Sequence, residues 1–187
     1  MTRVGVLALQ GDFREHLHIL ESLGVGAVAV KKPEQLGEVD ALVIPGGEST
    51  TIGKMATRFG LIEPLRQSIE SGLPTYGTCA GMILLAGAVT DGDQPLLGAL
   101  DVVVRRNAFG RQNESFEADL DIDGLDEPFH AVFIRAPWVE KVGSEIEVLA
   151  EVDDHPVMVR QDNILATSFH PELTGDGRIH DMLIEMV

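Results

Sequence analysis

A chain of 187 residues, 44% of them hydrophobic, can bury one sizeable core but not two, so a single domain over residues 1–187 is expected. A formal net charge of -16 disfavours nucleic acid as a partner, because phosphates are met by clustered Lys and Arg. No apolar run reaches the ~18 residues of a membrane span and the N-terminus carries no basic leader, so a cytoplasmic protein with no membrane partner is expected.

Residues 4–9 form a short apolar run, followed by the polar turn Gln10-Gly11-Asp12 and then by Phe13, Leu17, Leu20 and Leu23 at helical spacing. That reads as strand, turn and helix. Gly24 ends the helix, and strands are predicted over 27–30 and 41–44, the second stopped by Pro45-Gly46-Gly47. Helices over 51–59 and 62–71, a brief strand over 75–77 and a helix over 80–86 follow. Short apolar strands alternating with amphipathic helices imply an α/β fold, an open and mostly parallel sheet with helices on both faces and functional residues beyond the strands' carboxyl ends. From Leu97 the texture becomes strand-rich, with strands predicted over 102–104, 116–122, 131–134, 148–152, 157–159 and 164–169 and a closing helix over 179–186. Part of this half is expected to extend the sheet with antiparallel strands. Carboxylates crowd residues 119–127, at Asp119, Asp121, Asp123 and Asp126. So acidic a chain fits either a host with a salty cytoplasm, where salt screens the self-repulsion, or an ordinary acidic exterior. A melting temperature that climbs in molar potassium chloride selects the first.

Gly77-Thr78-Cys79-Ala80-Gly81 stands where a strand passes sharply into a helix and has the glycine spacing of a nucleophile elbow, with Cys in place of Ser. A nucleophile raised on a tight turn needs neighbours without bulk, here Gly77 and Gly81. At the start of the next helix the sulfur also meets the positive end of the helix dipole, and the Ala80 N–H points at a developing oxyanion. A lone cysteine is more often a small buried hydrophobe, and the elbow spacing reverses that reading. As the chain's single cysteine, Cys79 excludes an intrachain disulfide and a four-thiolate metal site, and no metal is expected.

Phe169-His170-Pro171-Glu172 follows the last predicted strand and offers a base with an orienting carboxylate two residues on. His170 can take a thiol proton and return it to a leaving amine, while Glu172 fixes the imidazole tautomer. His16, His18, His130, His155 and His180 lack a comparable strand-end partner and are assigned structural or surface places. Pro45-Gly46-Gly47-Glu48-Ser49-Thr50 ends the third strand with two glycines whose N–H groups can face a cleft, a second half for an oxyanion hole at Gly47. A phosphate loop is discounted, because Gly-Lys-Ser/Thr is missing and Glu48 repels phosphate. Ser49 or Thr50 can instead cap the following helix.

Together these residues resemble the class I glutamine amidotransferases, in which a Cys-His-Glu triad releases ammonia from glutamine. Four blocks narrow the resemblance: Leu9-Gln10-Gly11-Asp12-Phe13-Arg14-Glu15-His16, Ile44-Pro45-Gly46-Gly47-Glu48-Ser49-Thr50-Thr51, Arg105-Arg106-Asn107-Ala108-Phe109-Gly110-Arg111-Gln112 and Phe133-Ile134-Arg135-Ala136-Pro137. They are similar to glutaminase subunits of pyridoxal 5'-phosphate synthase and run through nearly the whole chain. The resemblance implies that Cys79 attacks the glutamine carboxamide to form a thioester, served by His170 and Glu172. It carries contacts with L-glutamine to Gly47, Glu48, Ser49, Arg106, Ile134 and Arg135. A carboxylate and arginines suit the two charges of an amino acid, whereas without the resemblance Arg106 and Arg135 read as partners of surface carboxylates. It also implies no cofactor in this chain, and a partner synthase subunit that receives ammonia through a tunnel and condenses it with a pentose phosphate and glyceraldehyde 3-phosphate, in a ring-like complex. Gln10 and Gly46 are expected to link docking to activation, because one turned peptide completes or dismantles the oxyanion hole. Rival readings keep the fold and change the acceptor, as in imidazole glycerol phosphate or anthranilate synthesis, or make the chain a non-catalytic or redox-sensing domain.

Overall fold

The computed structural model describes residues 2–109 and 115–187. Its first half alternates as expected: β1 (Arg3–Leu7), α1 (Phe13–Ser22), β2 (Gly26–Val30), β3 (Ala41–Ile44), α2 (Ser49–Arg58), α3 (Ile62–Glu70), β4 (Thr75–Thr78) and α4 (Ala80–Leu85). The second half runs β5 (Ala86–Val89), β6 (Leu100–Arg105), β7 (Ser115–Leu120), β8 (Phe129–Ile134), β9 (Trp138–Val142), β10 (Glu147–Val152), β11 (His155–Gln161), β12 (Ile164–Thr167) and α5 (Arg178–Ile184). Short 3-10 turns occupy Pro33–Glu38 and Pro171–Leu173.

The main sheet has the order β10-β11-β12-β4-β3-β1-β2. Its strands from β12 through β2 pair in parallel, and β10 and β11 add antiparallel strands at one side. One face packs Leu42 and Ile44 against Ile52, Ala56, Leu65 and Ile69 of α2 and α3. The other packs Val4, Val43 and Tyr76 against Leu20 of α1 and Leu183 of α5. Helices on both faces explain why β3 is apolar throughout, since each of its four side chains is buried. No described helix is long and apolar enough to cross a membrane.

The parallel pairing of β1, β3, β4 and β12 decides where chemistry can collect. Neighbouring parallel strands end on the same edge, so the segments after Leu7, Ile44, Thr78 and Thr167 emerge side by side. Residues distant in sequence are thereby gathered into one crevice.

As expected, part of the second half extends the main sheet, β12 in parallel and β10 and β11 antiparallel, while β5, β6 and β9 form a three-stranded sheet and β7 and β8 a separate pair. Other expectations need correction. The strand expected over 164–169 ends at Thr167, which frees the chain to turn toward His170. Neither β5 nor β9 was expected, because Ala86-Gly87-Ala88-Val89 has little strand propensity of its own and is extended by pairing with β6. Neither Ser49 nor Thr50 caps α2. Glu48 does, its carboxylate accepting from Thr50 N at 3.1 Å and Thr51 N at 2.8 Å. Gly110, Arg111 and Gln112 of the block beginning at Arg105 lie outside the described residues.

Candidate functional site

Cys79 sits between β4 and α4 with φ 49° and ψ -100°, a conformation that side-chain-bearing residues avoid at a cost of about 1–3 kcal/mol. The surroundings hold it there. Its N–H donates to Thr167 O at 2.7 Å on β12, and its carbonyl accepts from Ile83 N at 3.2 Å in α4. Gly81 lets the helix cross β3 closely, since a Cβ at that position would lie 2.0 Å from Ile44 O.

His170 is carried to the same spot by the chain beyond β12, and its N–H donates to Val132 O of β8 at 2.9 Å. The imidazole Nδ1–H donates to Glu172 Oε1 at 2.7 Å, and both side chains are almost wholly buried. Burial works against a charged His170, but hydrogen bonding to Cys79 and Glu172 and their charges outweigh it and push the pKa up to about 10. Burial raises the Glu172 carboxyl, opposed by the same His170 contact. Asp12 adds a second carboxylate 3.7 Å from His170 Nδ1. The ligand atoms of Asp12, His170 and Glu172 lie within 4.8 Å of one another, as in a metal cluster. The proton between His170 Nδ1 and Glu172 uses the lone pair that a metal would need.

Above Cys79 opens a cleft of about 450 Å³, within the range of small-molecule sites. Of the residues singled out from the sequence, Gln10, Gly47, Glu48, Ser49, Cys79, Ala80, Arg106, Ile134, Arg135 and His170 line it. Glu172 is buried behind His170, and Gly46 packs so closely that a Cβ there would stand 2.5 Å from His170 Cε1. Two hydrogen bonds pin the Gly46-Gly47 segment to the turn after β1. Asp12 N donates to Gly46 O at 3.2 Å, and Glu48 N donates to Gln10 Oε1 at 2.8 Å. Between them Gly47 has φ 147°, which favours glycine.

Charge in the cleft is paired across it. Arg106 lies 3.8 Å from Glu48 rather than from an unrelated surface carboxylate. Hydrogen bonding to Thr51 is the main cause holding Glu48 below the usual carboxylate range. Gln94, which the sequence did not signal, ties the two sides together: its Oε1 accepts from Ser49 Oγ at 3.1 Å and Arg106 Nη1 at 3.2 Å. Trp138, to which no role was attached, packs on Phe109 at 5.2 Å between ring centres and helps fix the segment carrying Arg106.

Two histidines assigned to structural or surface places are fully buried beside the site. His16 Nδ1 is 2.9 Å from His180 Nε2, and burial is the main cause lowering the pKa of both, to about 4 for His180. A histidine on the apolar face of α1, between Phe13 and Leu20, was the available signal. A base whose pKa is depressed on folding leaves stability unchanged above its unfolded value near 6.5. Stability is lost as pH falls from there through about 4, where His180 alone accounts for about 3 kcal/mol. Urea unfolding between pH 7 and 4 should show that loss, reduced by a similar amount in His180→Phe. The opposite sign holds for His170, whose contribution is complete below pH 6.5 and fades as pH rises through about 10.

Comparison with known proteins gives concordant matches. The model of the SNO glutamine amidotransferase family matches residues 6–187. A pyridoxal 5'-phosphate synthase subunit PdxT of Frankia alni is 61% identical, over 99% of this chain and 94% of its own length. The PdxT of Mycobacteroides abscessus is 59% identical, over 98% of this chain and 96% of its own. A crystal structure of a glutamine amidotransferase superimposes with TM-score 0.94 at 54% identity, covering 98% of this chain and 97% of that one. The structure of PurLQS from Thermotoga maritima, at 16% identity and TM-score 0.71 over 99% of this chain and 96% of that one, shares the fold.

Proposed function

The chain belongs to the SNO glutamine amidotransferase family, and on that premise we propose that it hydrolyses L-glutamine through Cys79, His170 and Glu172 as the glutaminase subunit of pyridoxal 5'-phosphate synthase. The observation that carries the site assignment is the strained Cys79 elbow facing an imidazole whose far nitrogen is bonded to a buried carboxylate. Cys79 Sγ adds to the carboxamide carbon while His170 holds the thiol proton. The C–N bond then breaks, that proton leaves on ammonia, and a glutamyl thioester remains. Water, giving a proton to His170, attacks the thioester, and glutamate departs as the sulfur recovers its proton.

Backbone N–H groups of Gly47 and Ala80 serve as the oxyanion hole, and Glu48, Ser49, Arg106, Ile134 and Arg135 hold the substrate. Charges of both signs in one cleft suit the ammonium and carboxylate of an amino acid. The ammonia passes to a synthase subunit within a ring-like cytoplasmic assembly. Gln10 and Gly46 govern activity, because the two bonds across Gly47 set which way its peptide faces.

Glutamate release by the purified chain, alone and with the synthase subunit, tests this reading. Release is expected to rise sharply with the partner. Equal rates would remove the docking control, and no release from a confirmed complex would remove the glutaminase assignment.

A further inference from the structure

Directly behind the Cys79–His170–Glu172 set lies a buried pair of titratable groups with no part in the chemistry above. Glu172 Oε1 is taken by His170, but Oε2 is sealed from solvent and makes no well-formed hydrogen bond to a described residue. It faces His16 Nε2 at 3.5 Å, and both side chains are fully buried. His16 Nε2 is also 3.3 Å from Thr78 Oγ1, on the residue preceding the nucleophile. On its other side His16 Nδ1 meets His180 Nε2 at 2.9 Å, and His180 Nδ1 has no partner among the described residues.

Proton accounting selects one arrangement. Both imidazoles are neutral in this burial, so each carries one N–H. If His16 carried its proton on Nδ1, its Nε2 lone pair would face a carboxylate oxygen and His180 would have to keep an N–H on its unpartnered nitrogen. Buried donors without acceptors are rarer than buried acceptors without donors. With both protons on Nε2, His180 donates to His16, His16 points its N–H at Glu172 and Thr78, and the group left over is a lone pair.

We propose that His16 is a positioning residue of this site, aiming its Nε2–H at Glu172 Oε2 in a tautomer that His180 enforces. The inference rests on the assignment of Glu172 to the triad. Hydrogen bonds of this kind are often long without substrate and tighten when the site is filled. His16 thereby gives the second carboxylate oxygen a donor and keeps Glu172 ionised to hold His170.

Other groups around Glu172 do not replace this donor. Asp12, in the turn after β1, adds like charge, and burial together with the Glu172 charge keeps Tyr76 of β4 protonated, with its hydroxyl 2.9 Å from Thr167 Oγ1. Arg14, Glu15 and His18 of α1 share with Glu172 the lining of a separate cavity. The titratable residue of β8, His130, is exposed and bonded to Asp119 and Glu117.

The test has two readouts. Nitrogen-15 correlation spectra of the imidazoles in the full chain are expected to show His16 and His180 as Nε2–H tautomers at pH 7. In the complex with the synthase subunit, His16→Leu is expected to move the acid limb of glutaminase kcat/KM upward by about one pH unit, and His16→Gln, which retains a donor, to move it less. A merely structural role would lower the rate without moving the limb. An Nδ1–H tautomer or a cationic His16, or an unmoved limb in folded His16→Leu, would overturn the proposal. A wild-type chain with the expected tautomers but no glutamate release would support the contact and overturn the glutaminase reading instead.

Discussion

Cys79→Ala is expected to lower glutamate release by the assembled enzyme roughly ten-thousandfold or more, because the proposed thioester route would lose its nucleophile and keep only binding and the proposed oxyanion hole. The same position carries a stability prediction of unusual sign. In most buried or helical settings alanine is more stable than glycine by about 1 kcal/mol. At φ 49° and ψ -100° the order should reverse, since a Cβ is the source of the strain and glycine lacks one. Cys79→Gly is therefore expected to unfold at higher urea than Cys79→Ala, by about 1 kcal/mol, with both inactive. The normal order in a urea titration would mean that the elbow stores no strain, and the argument for a nucleophile held up on a forced turn would go with it.

Gly81→Ala carries the second large effect. An alanine inside α4 would ordinarily help the helix, yet the added Cβ would stand 2.0 Å from Ile44 O in the middle of the main sheet. Neither backbone can give way without shifting β3 or the elbow, so the cost is expected to reach about 3 kcal/mol or more, with loss of glutaminase activity in whatever remains folded. Gly37→Ala is the matched control: no atom lies within 4 Å of its added Cβ, and the change should be neutral or stabilising by about 0.4–1 kcal/mol. Equal melting of the two variants would show that α4 and β3 have room to separate.

The crossing at Gly81 also shows how far the sequence reads. The elbow was legible because strand, turn and helix signals fall within a few residues, and turn chemistry is local. His170 and Glu172 were legible for the same reason, being two residues apart at a strand end. Boundaries erred where local preference was weak: β5 is an Ala-Gly run extended by pairing with β6, and α2 begins at Ser49 because a longer carboxylate at Glu48 reaches the helix N–H groups. Glu48 therefore caps a helix and lines the cleft at once.

Spacings within a few residues specify the alternating parallel core, the Cys79 elbow, the His170–Glu172 pair and the glycine turn beside them. Which distant groups meet them is set by tertiary packing. Gln94 bridges Ser49 and Arg106, and His16 reaches His180 across 164 residues of chain behind Glu172. The first contact follows from the β5–β6 connection packing against α2, and the second from α1 and α5 sharing one face of the main sheet. Periodicity fixes which side of an element is buried, but which elements become neighbours depends on long-range pairing that no local pattern encodes.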